Sequence, residues 1–103
     1  MRQIKDLGRR IGREFDADRV VLFGSYAQGT GTDDSDVDLL VILRFEGRSV
    51  DRSVEIRMRL RPAFPVDLIV RTPDHVHQRL EMGDDFMREI LEEGRVLYEA
   101  DRR

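Results

Sequence analysis

One segment, residues 36–43, limits the possible folds of this 103-residue chain more than any other. Its residues alternate as in a strand, and beyond two aspartates both faces of that strand are apolar. Strands that are apolar on both faces are typical of sheets covered by helices, so the pattern favours a mixed α/β fold. The two faces consist of Asp36, Asp38, Leu40 and Ile42, and of Val37, Leu39, Val41 and Leu43.

The remaining patterns predict a small mixed sheet flanked by helices, an α/β (α+β) fold. Strands are predicted at 19–23, 66–70 and 95–98, with a helical turn beginning at Ser25. Helices are predicted at 3–15, at 50–61 ending at or before Pro62, at 74–82 and at 84–93. Predicted helix faces are Ile4, Leu7, Ile11 and Phe15; Val50, Val54 and Met58 with Ile56 and Leu60 beside them; and Phe86, Ile90 and Leu91 facing inward.

Composition restricts the possible chemistry. The length predicts a single domain over residues 1–103. Without cysteine, thiolate metal sites and cysteine nucleophiles are excluded, so any metal must be held by oxygen ligands. The N-terminus lacks an export signal and no apolar run could span a bilayer, which predicts a soluble, cytoplasmic protein. The net charge of −3 disfavours direct nucleic-acid binding.

Three aspartates are candidate metal ligands. Asp36 and Asp38 are two apart on one strand, which places both carboxylates on one face. Asp67 lies within another apolar strand, where a buried carboxylate needs a partner. If these strands are neighbours, the three acids meet, and each like-charge pair at about 6 Å costs about 2–3 kcal/mol at an effective dielectric of about 20. A divalent cation, Mg²⁺ or Mn²⁺, offsets that repulsion; the alternative for Asp67 is an arginine partner.

A possible phosphate site lies at Gly24-Ser25, where the first strand ends and a helical turn begins. Free N–H groups at such a turn bind anions, glycine allows a phosphate to approach closely, and the serine hydroxyl donates to it. Tyr26 either stacks on a base or packs beside this turn. A phosphate site opposite a carboxylate–metal cluster suits nucleotidyl transfer.

These residues carry a family resemblance. Gly24-Ser25, ten intervening residues and Asp36-Val-Asp38 form a pattern similar to the signature of the polymerase-β-like nucleotidyltransferases. The segment 22–29 resembles the minimal, MntA-like members, and 91–99 resembles their usual C-terminal segment. The chain departs from many members at Gln28, where they carry arginine.

The resemblance implies that Asp36, Asp38 and Asp67 are the catalytic, metal-binding acids, holding two Mg²⁺ ions, and that Gly24 and Ser25 contact ATP. It also implies a HEPN-domain partner, because minimal members are antitoxins of HEPN/MNT pairs that move AMP from ATP onto a tyrosine of the HEPN protein. A binding module that neutralises its partner by occupancy and a transferase to a small molecule are the alternatives. Oligomerisation is left open.

Other patterns are excluded by their spacing. A calcium loop starting at Asp34 needs glycine and glutamate where the chain has Leu39 and Phe45. A P-loop starting at Gly24 lacks the required lysine. His75 and His77 do not share a helical face, which favours surface or capping roles over metal binding.

Overall fold

The computed structural model describes residues 1–101, so Arg102 and Arg103 of the predicted domain lie outside the described part. Its elements follow the predicted order, and the mixed α/β class is confirmed. The elements are α1 (Arg2–Glu14), β1 (Arg19–Phe23), α2 (Ser25–Gln28), β2 (Val37–Ile42), α3 (Ser49–Leu60), β3 (Val66–Arg71), α4 (Pro73–Glu81), α5 (Asp85–Glu93) and β4 (Arg95–Glu99).

The four strands form one mixed sheet in the order β3-β2-β1-β4. β1 pairs antiparallel with both β2 and β4, whereas β2 and β3 are parallel neighbours. A parallel pair needs a crossover connection, and α3 supplies it. The sheet order therefore meets the condition on which the predicted meeting of the aspartates depended.

Helices cover the two faces of the sheet. On one face α1 and α3 pack against alternate residues of the strands, and on the other α4 and α5 do so. The first core includes Ile4, Leu7, Ile11, Leu22, Leu39, Val41, Ile56, Leu60 and Val70; the second consists of Val21, Leu40, Ile42, Val76, Met87 and Ile90. Because β2 contributes to both cores, its residues from Leu39 to Ile42 are all buried.

Two helices begin with a side-chain cap. Thr72 Oγ1 accepts the backbone N–H of His75 at 3.1 Å and starts α4, with Pro73 in the first helical position. Asp84 Oδ1 accepts the N–H of Met87 at 3.0 Å and starts α5. The cap at Asp84 fixes the residue at which α5 begins.

The predicted inward faces of two helices are wrong in part. On α5, Ile90 is buried and Leu91 packs partly buried against the second core, as predicted, but Phe86 is 55% exposed and Met87 is buried in its place. On α3, Ile56 and Leu60 are buried, whereas the predicted face of Val50, Val54 and Met58 is exposed. On α3 helical periodicity fits either of two apolar stripes, and the sheet buries the one that contains Ile56 and Leu60. On α5 the adjacent residues Phe86 and Met87 are both apolar, and the sheet buries the second of them.

No helix within residues 1–101 combines the length and the apolarity needed to cross a membrane.

Candidate active site

The three aspartates lie at the same end of the sheet, where β2 and β3 begin. Asp38 and Asp67 are direct partners in the parallel register, so their side chains leave the same face of the sheet. That face is the one covered by α4 and α5, because Leu40 and Ile69, the next residues on it, belong to the second core. Asp36 lies immediately before the first residue of β2 rather than within it. The strands therefore bring the predicted acids together beyond the cover of the helices.

Asp67 differs from the prediction in its environment. It is exposed, it is the second residue of β3, and β3 lies at the edge of the sheet. The expectation of an acid buried within the strand is therefore wrong. An arginine partner is not found either, because within residues 1–101 Asp36, Asp38 and Asp67 make no ion pair. The exposure of Asp67 agrees with its position at the start of a strand that lies at the edge of the sheet.

Asp38 is half-buried and carries the electrostatic consequence of this arrangement. Its pKa is raised above the usual value of 3.8, first by burial and then by the negative charges of Asp67 and Asp36. Each effect disfavours the ionised carboxylate, and no cationic side chain within the described residues offsets them by an ion pair. A carboxylate held among like charges is typical of sites that bind a cation.

Gly24 connects the carboxylates to the first helical turn. Its backbone has φ 76° and ψ −155°, a conformation that glycine alone adopts readily. A Cβ at this position would collide with Asp38 Oδ2. Glycine is therefore needed twice here, for the turn of the backbone from β1 into α2 and for the close approach of the Asp38 carboxylate.

The first turn of α2 leaves donors for a ligand. The carbonyl oxygen of Gly24 accepts the N–H groups of Ala27 at 3.1 Å and Gln28 at 3.2 Å. The N–H groups of Ser25 and Tyr26 precede these two and lack an intrahelical acceptor. Ser25 is half-buried at the same point, so its hydroxyl and these N–H groups form a small set of donors beside Asp38.

Tyr26 stabilises the loop at residues 29–36, which leads to the aspartates. This role was not evident from its position in the sequence. Its hydroxyl donates to the carbonyl oxygen of Thr32 at 2.6 Å, and its ring lies where a Cβ of Gly31 would be. The N–H of Thr32 donates to Ser35 Oγ at 3.1 Å. Of the two predicted possibilities for Tyr26, the structure shows packing beside the turn. The sequence signal that could have indicated this role is Gly31, five residues after the tyrosine.

The donor set fits a divalent cation in charge and chemistry. All three side chains are carboxylates, the oxygen ligands that Mg²⁺ prefers. Within residues 1–101, however, no three His, Asp or Glu side chains are grouped closely enough to form a ready-made metal site. Asp36, Asp38 and Asp67 are the residues that would hold such a cation.

The two histidines are on the surface, as predicted. Both are exposed on α4, where His77 Nε2 lies 2.9 Å from Glu81 Oε1. His75 occupies the first turn, and its backbone N–H is the donor to the Thr72 cap. Neither lies on β2 or β3 beside the aspartates.

The sequence matches the family described as Polymerase beta, Nucleotidyltransferase over residues 5–103. It is also 32% identical, over 82 residues, to a Methanocaldococcus jannaschii protein provisionally named protein adenylyltransferase MJ0604. That alignment covers 78% of this chain and 77% of the relative. The chain therefore belongs to the polymerase beta nucleotidyltransferase family, a family of enzymes, and the resemblance in its motifs is confirmed.

Three solved structures have the same fold. A protein of Sulfolobus solfataricus, provisionally described as a nucleotidyltransferase, matches with a TM-score of 0.66 and 20% identity, over 98% of this chain and 81% of that one. A toxin-antitoxin crystallised with AMP-PNP matches with a TM-score of 0.63 and 23% identity, over 98% and 76%. A toxin-antitoxin named MntA-HpeT, carrying two aspartate-to-glutamate substitutions two residues apart, matches with a TM-score of 0.60 and 19% identity, over 98% and 75%.

Proposed function

We propose that this protein transfers a nucleoside monophosphate, AMP from ATP, onto a hydroxyl group of a partner protein. The observation that carries the proposal is the register of the sheet, which pairs Asp38 with Asp67 and places Gly24 against Asp38. A metal-bound triphosphate requires carboxylates that bind the metal and N–H groups that donate to the phosphate oxygens, and both kinds of group adjoin Gly24. The name of the relative MJ0604 supports a protein as the acceptor.

In this proposal Asp36, Asp38 and Asp67 would hold Mg²⁺, which when bound would supply charge neutralisation for the triphosphate and lower the pKa of the attacking hydroxyl. Ser25 and the N–H groups of α2 orient the phosphates. Asp67 is exposed on the edge strand, so an acceptor hydroxyl can reach it from solvent. The acceptor oxygen forms a bond to the α-phosphorus, the bond from that phosphorus to the bridging oxygen breaks, and pyrophosphate leaves with the electron pair. The proton of the hydroxyl passes to Asp67.

We further propose that the acceptor belongs to a toxin of the HEPN class and that this chain acts as its antitoxin in the cytoplasm, where ATP is available. The fold is shared with two toxin-antitoxin structures, one of them crystallised with AMP-PNP. The open position of Asp67 also agrees with an acceptor presented by a second polypeptide rather than enclosed by this one.

The test is a transfer assay with a candidate HEPN-domain partner protein. The protein is incubated with Mg²⁺, each labelled nucleoside triphosphate in turn and that partner, beside the Asp36→Asn/Asp38→Asn double variant. A gain of one AMP on the partner, seen by mass spectrometry only with the intact acids, is expected. Neutralisation of the partner by both forms without any label would instead make this chain a binding module that acts by occupancy.

The small-molecule alternative is tested in the same reactions. Label that appears on an added aminoglycoside rather than on a protein would move the acceptor to the small-molecule class. Omitting Mg²⁺ and replacing it with Mn²⁺ tests the metal requirement, because oxygen ligands bind both ions.

A further inference from the structure

A cavity of about 180 Å³ lies beside α2, on the face of the sheet that α5 covers. Its walls come from the end of β1 and α2 on one side and from α5 on the other; they include Phe23, Gly24, Gln28, Phe86, Glu89 and Glu93. Gly24 is part of this wall and also touches Asp38, so the cavity and the carboxylates are separated by a single residue.

We propose that this cavity binds the nucleoside of the donor nucleotide, with the Phe86 ring stacked on the base. The inference rests on the proposed function, because it places the triphosphate of the same nucleotide at Gly24 and Ser25. It adds the location of the base and ribose and the residues that select them.

Phe86 has the exposure and the support that a stacking residue needs. Its side chain is 55% exposed although it is large and apolar. Its ring meets that of Phe23 in a T-shaped contact, with centroids 5.9 Å apart and planes at 83°. One such contact fixes the ring while leaving much of its surface open to a ligand. A base placed there would cover apolar surface that the protein alone leaves in water.

The charges around the cavity determine which half of a nucleotide it accepts. Glu89 and Glu93 both line it, one helical turn apart on α5, and none of the described lining residues is cationic. A polyphosphate would be repelled by these carboxylates, whereas a neutral nucleoside would not. Carboxylates accept hydrogen bonds, so they suit the ribose hydroxyls or the 6-amino group of adenine. The triphosphate would then extend across Gly24 toward Asp38.

The first arm of the test measures affinity for the Mg²⁺ complex of α,β-methylene-ATP, which resists transfer. Phe86→Leu keeps an apolar side chain but removes the aromatic ring, and we expect it to weaken binding about five- to tenfold, at the lower end of base-stacking effects. Phe86→Tyr should stay close to the wild type. Magnesium tripolyphosphate is the matched control ligand, since it has no nucleoside and its affinity should not change in either variant.

The second arm identifies the group that the carboxylates recognise. Glu89→Ala and Glu93→Ala are compared with Glu92→Ala, an exposed neighbour on the same helix that does not line the cavity. Each protein is given the probe and its 2′-deoxy and 6-deamino analogues. If a carboxylate binds the ribose, the wild type prefers the probe to the 2′-deoxy analogue and the alanine variant loses that preference. Recognition of the 6-amino group produces the same loss with the 6-deamino analogue.

Nuclear Overhauser effects between the base protons and the Phe86 ring provide a direct reading in the wild-type protein. Their presence, with weaker nucleotide binding by Phe86→Leu, is the expected result. Unchanged nucleotide affinity in Phe86→Leu and in both glutamate variants would overturn the nucleoside site while leaving the proposed function standing. A folded wild-type chain that binds neither the probe nor magnesium tripolyphosphate would overturn both.

Discussion

Asp38, near the start of β2, and Asp84, in the turn between α4 and α5, are both half-buried aspartates. Their pKa values are shifted in opposite directions. The pKa of Asp84 is lowered, first by the hydrogen bond from the backbone N–H of Met87 and then by the Arg79 side chain. Arg79 Nε lies 2.9 Å from Asp84 Oδ2. The pKa of Asp38 is raised by burial and by the charges of Asp67 and Asp36. Asp84 is surrounded by donors, and Asp38 by other acids.

The difference separates a residue that stabilises the fold from one that does not. At neutral pH the Asp84 carboxylate favours the folded chain, because folding provides its donors. Folding provides Asp38 with burial and like charges instead, so its ionisation opposes the folded state. Three aspartates at one end of the sheet do not favour folding by themselves, which agrees with the proposal that they form the functional site.

The largest effect is expected from removing the charge of the acidic group. Asp36→Asn/Asp38→Asn keeps the side-chain size but removes two of the proposed metal ligands. AMP transfer should fall at least about 1000-fold, equivalent to about 4 kcal/mol of transition-state stabilisation. Rates of labelled AMP transfer to the partner measure this loss.

Asp33→Asn/Asp34→Asn is the matched control, since these two aspartates are exposed in the preceding loop. It removes the same charge from the same region and should keep nearly full activity. A transfer rate for the Asp36→Asn/Asp38→Asn protein within tenfold of the wild type would contradict the assignment of these residues.

Gly24→Ala tests how the turn and the carboxylate depend on each other. The substitution forces alanine into a backbone conformation reserved for glycine and directs its Cβ into Asp38, so we expect a loss of about 1–3 kcal/mol in the free energy of unfolding, together with lower activity. Gly29→Ala is the comparison, because Gly29 also has positive φ, 81°, although in the left-handed helical region, and apart from its chain neighbours no atom of residues 1–101 lies within 4 Å of its added Cβ. Urea denaturation should show a smaller loss for Gly29→Ala; equal losses would mean that Asp38 does not restrict this position.

The sequence predicted the elements, and the position of the candidate site residues at one end of the sheet, better than it predicted the surroundings of those residues. Asp36 and Asp38 were recognisable because a carboxylate interrupts the alternation of an otherwise apolar strand, and Gly24 because it follows a short apolar run. The exposure of Asp67 depended on β3 being an edge strand, and strand order is set by long-range pairing that local pattern does not contain. The prediction that Phe86 faces inward was wrong for a similar reason, since packing against the sheet selects which apolar residues of α5 are buried.

The pH dependence of stability should reveal the raised pKa of Asp38. A group whose pKa is higher in the folded than in the unfolded state favours folding below its usual value of 3.8, and loses that contribution as the pH rises through the folded value. Metal-free Asp38→Asn should therefore match the wild type at low pH and become the more stable of the two as the pH rises. Urea denaturation in the presence of a chelator, over a series of pH values, measures the difference in free energy of unfolding between the two proteins.

Adding Mg²⁺ should reduce this difference in stability at neutral pH, because the cation stabilises the wild type, which retains all three carboxylates, more than it stabilises Asp38→Asn. Asp34→Asn, in the exposed loop, serves as the control for a general change of charge. A wild type that is more stable than Asp38→Asn at neutral pH without metal would show that Asp38 has a favourable partner after all.

The smallest effect, with the opposite sign, is expected at Asp84. Its lowered pKa means that the carboxylate stabilises the folded chain above the usual value of 3.8 and loses this contribution as the pH falls through the folded value. Asp84→Asn retains an oxygen that can accept the Met87 N–H, so the cap survives, whereas the charge and the hydrogen bond from Arg79 Nε to Oδ2 are lost. The Arg79 guanidinium is partly exposed, and solvent screens that loss. The variant should be slightly less stable than the wild type at neutral pH and equal to it in acid. With rising pH, the free energy of unfolding should therefore increase relative to the wild type in Asp38→Asn and decrease in Asp84→Asn. Changes of the same sign in both variants would mean that the two sites do not differ as their partners indicate.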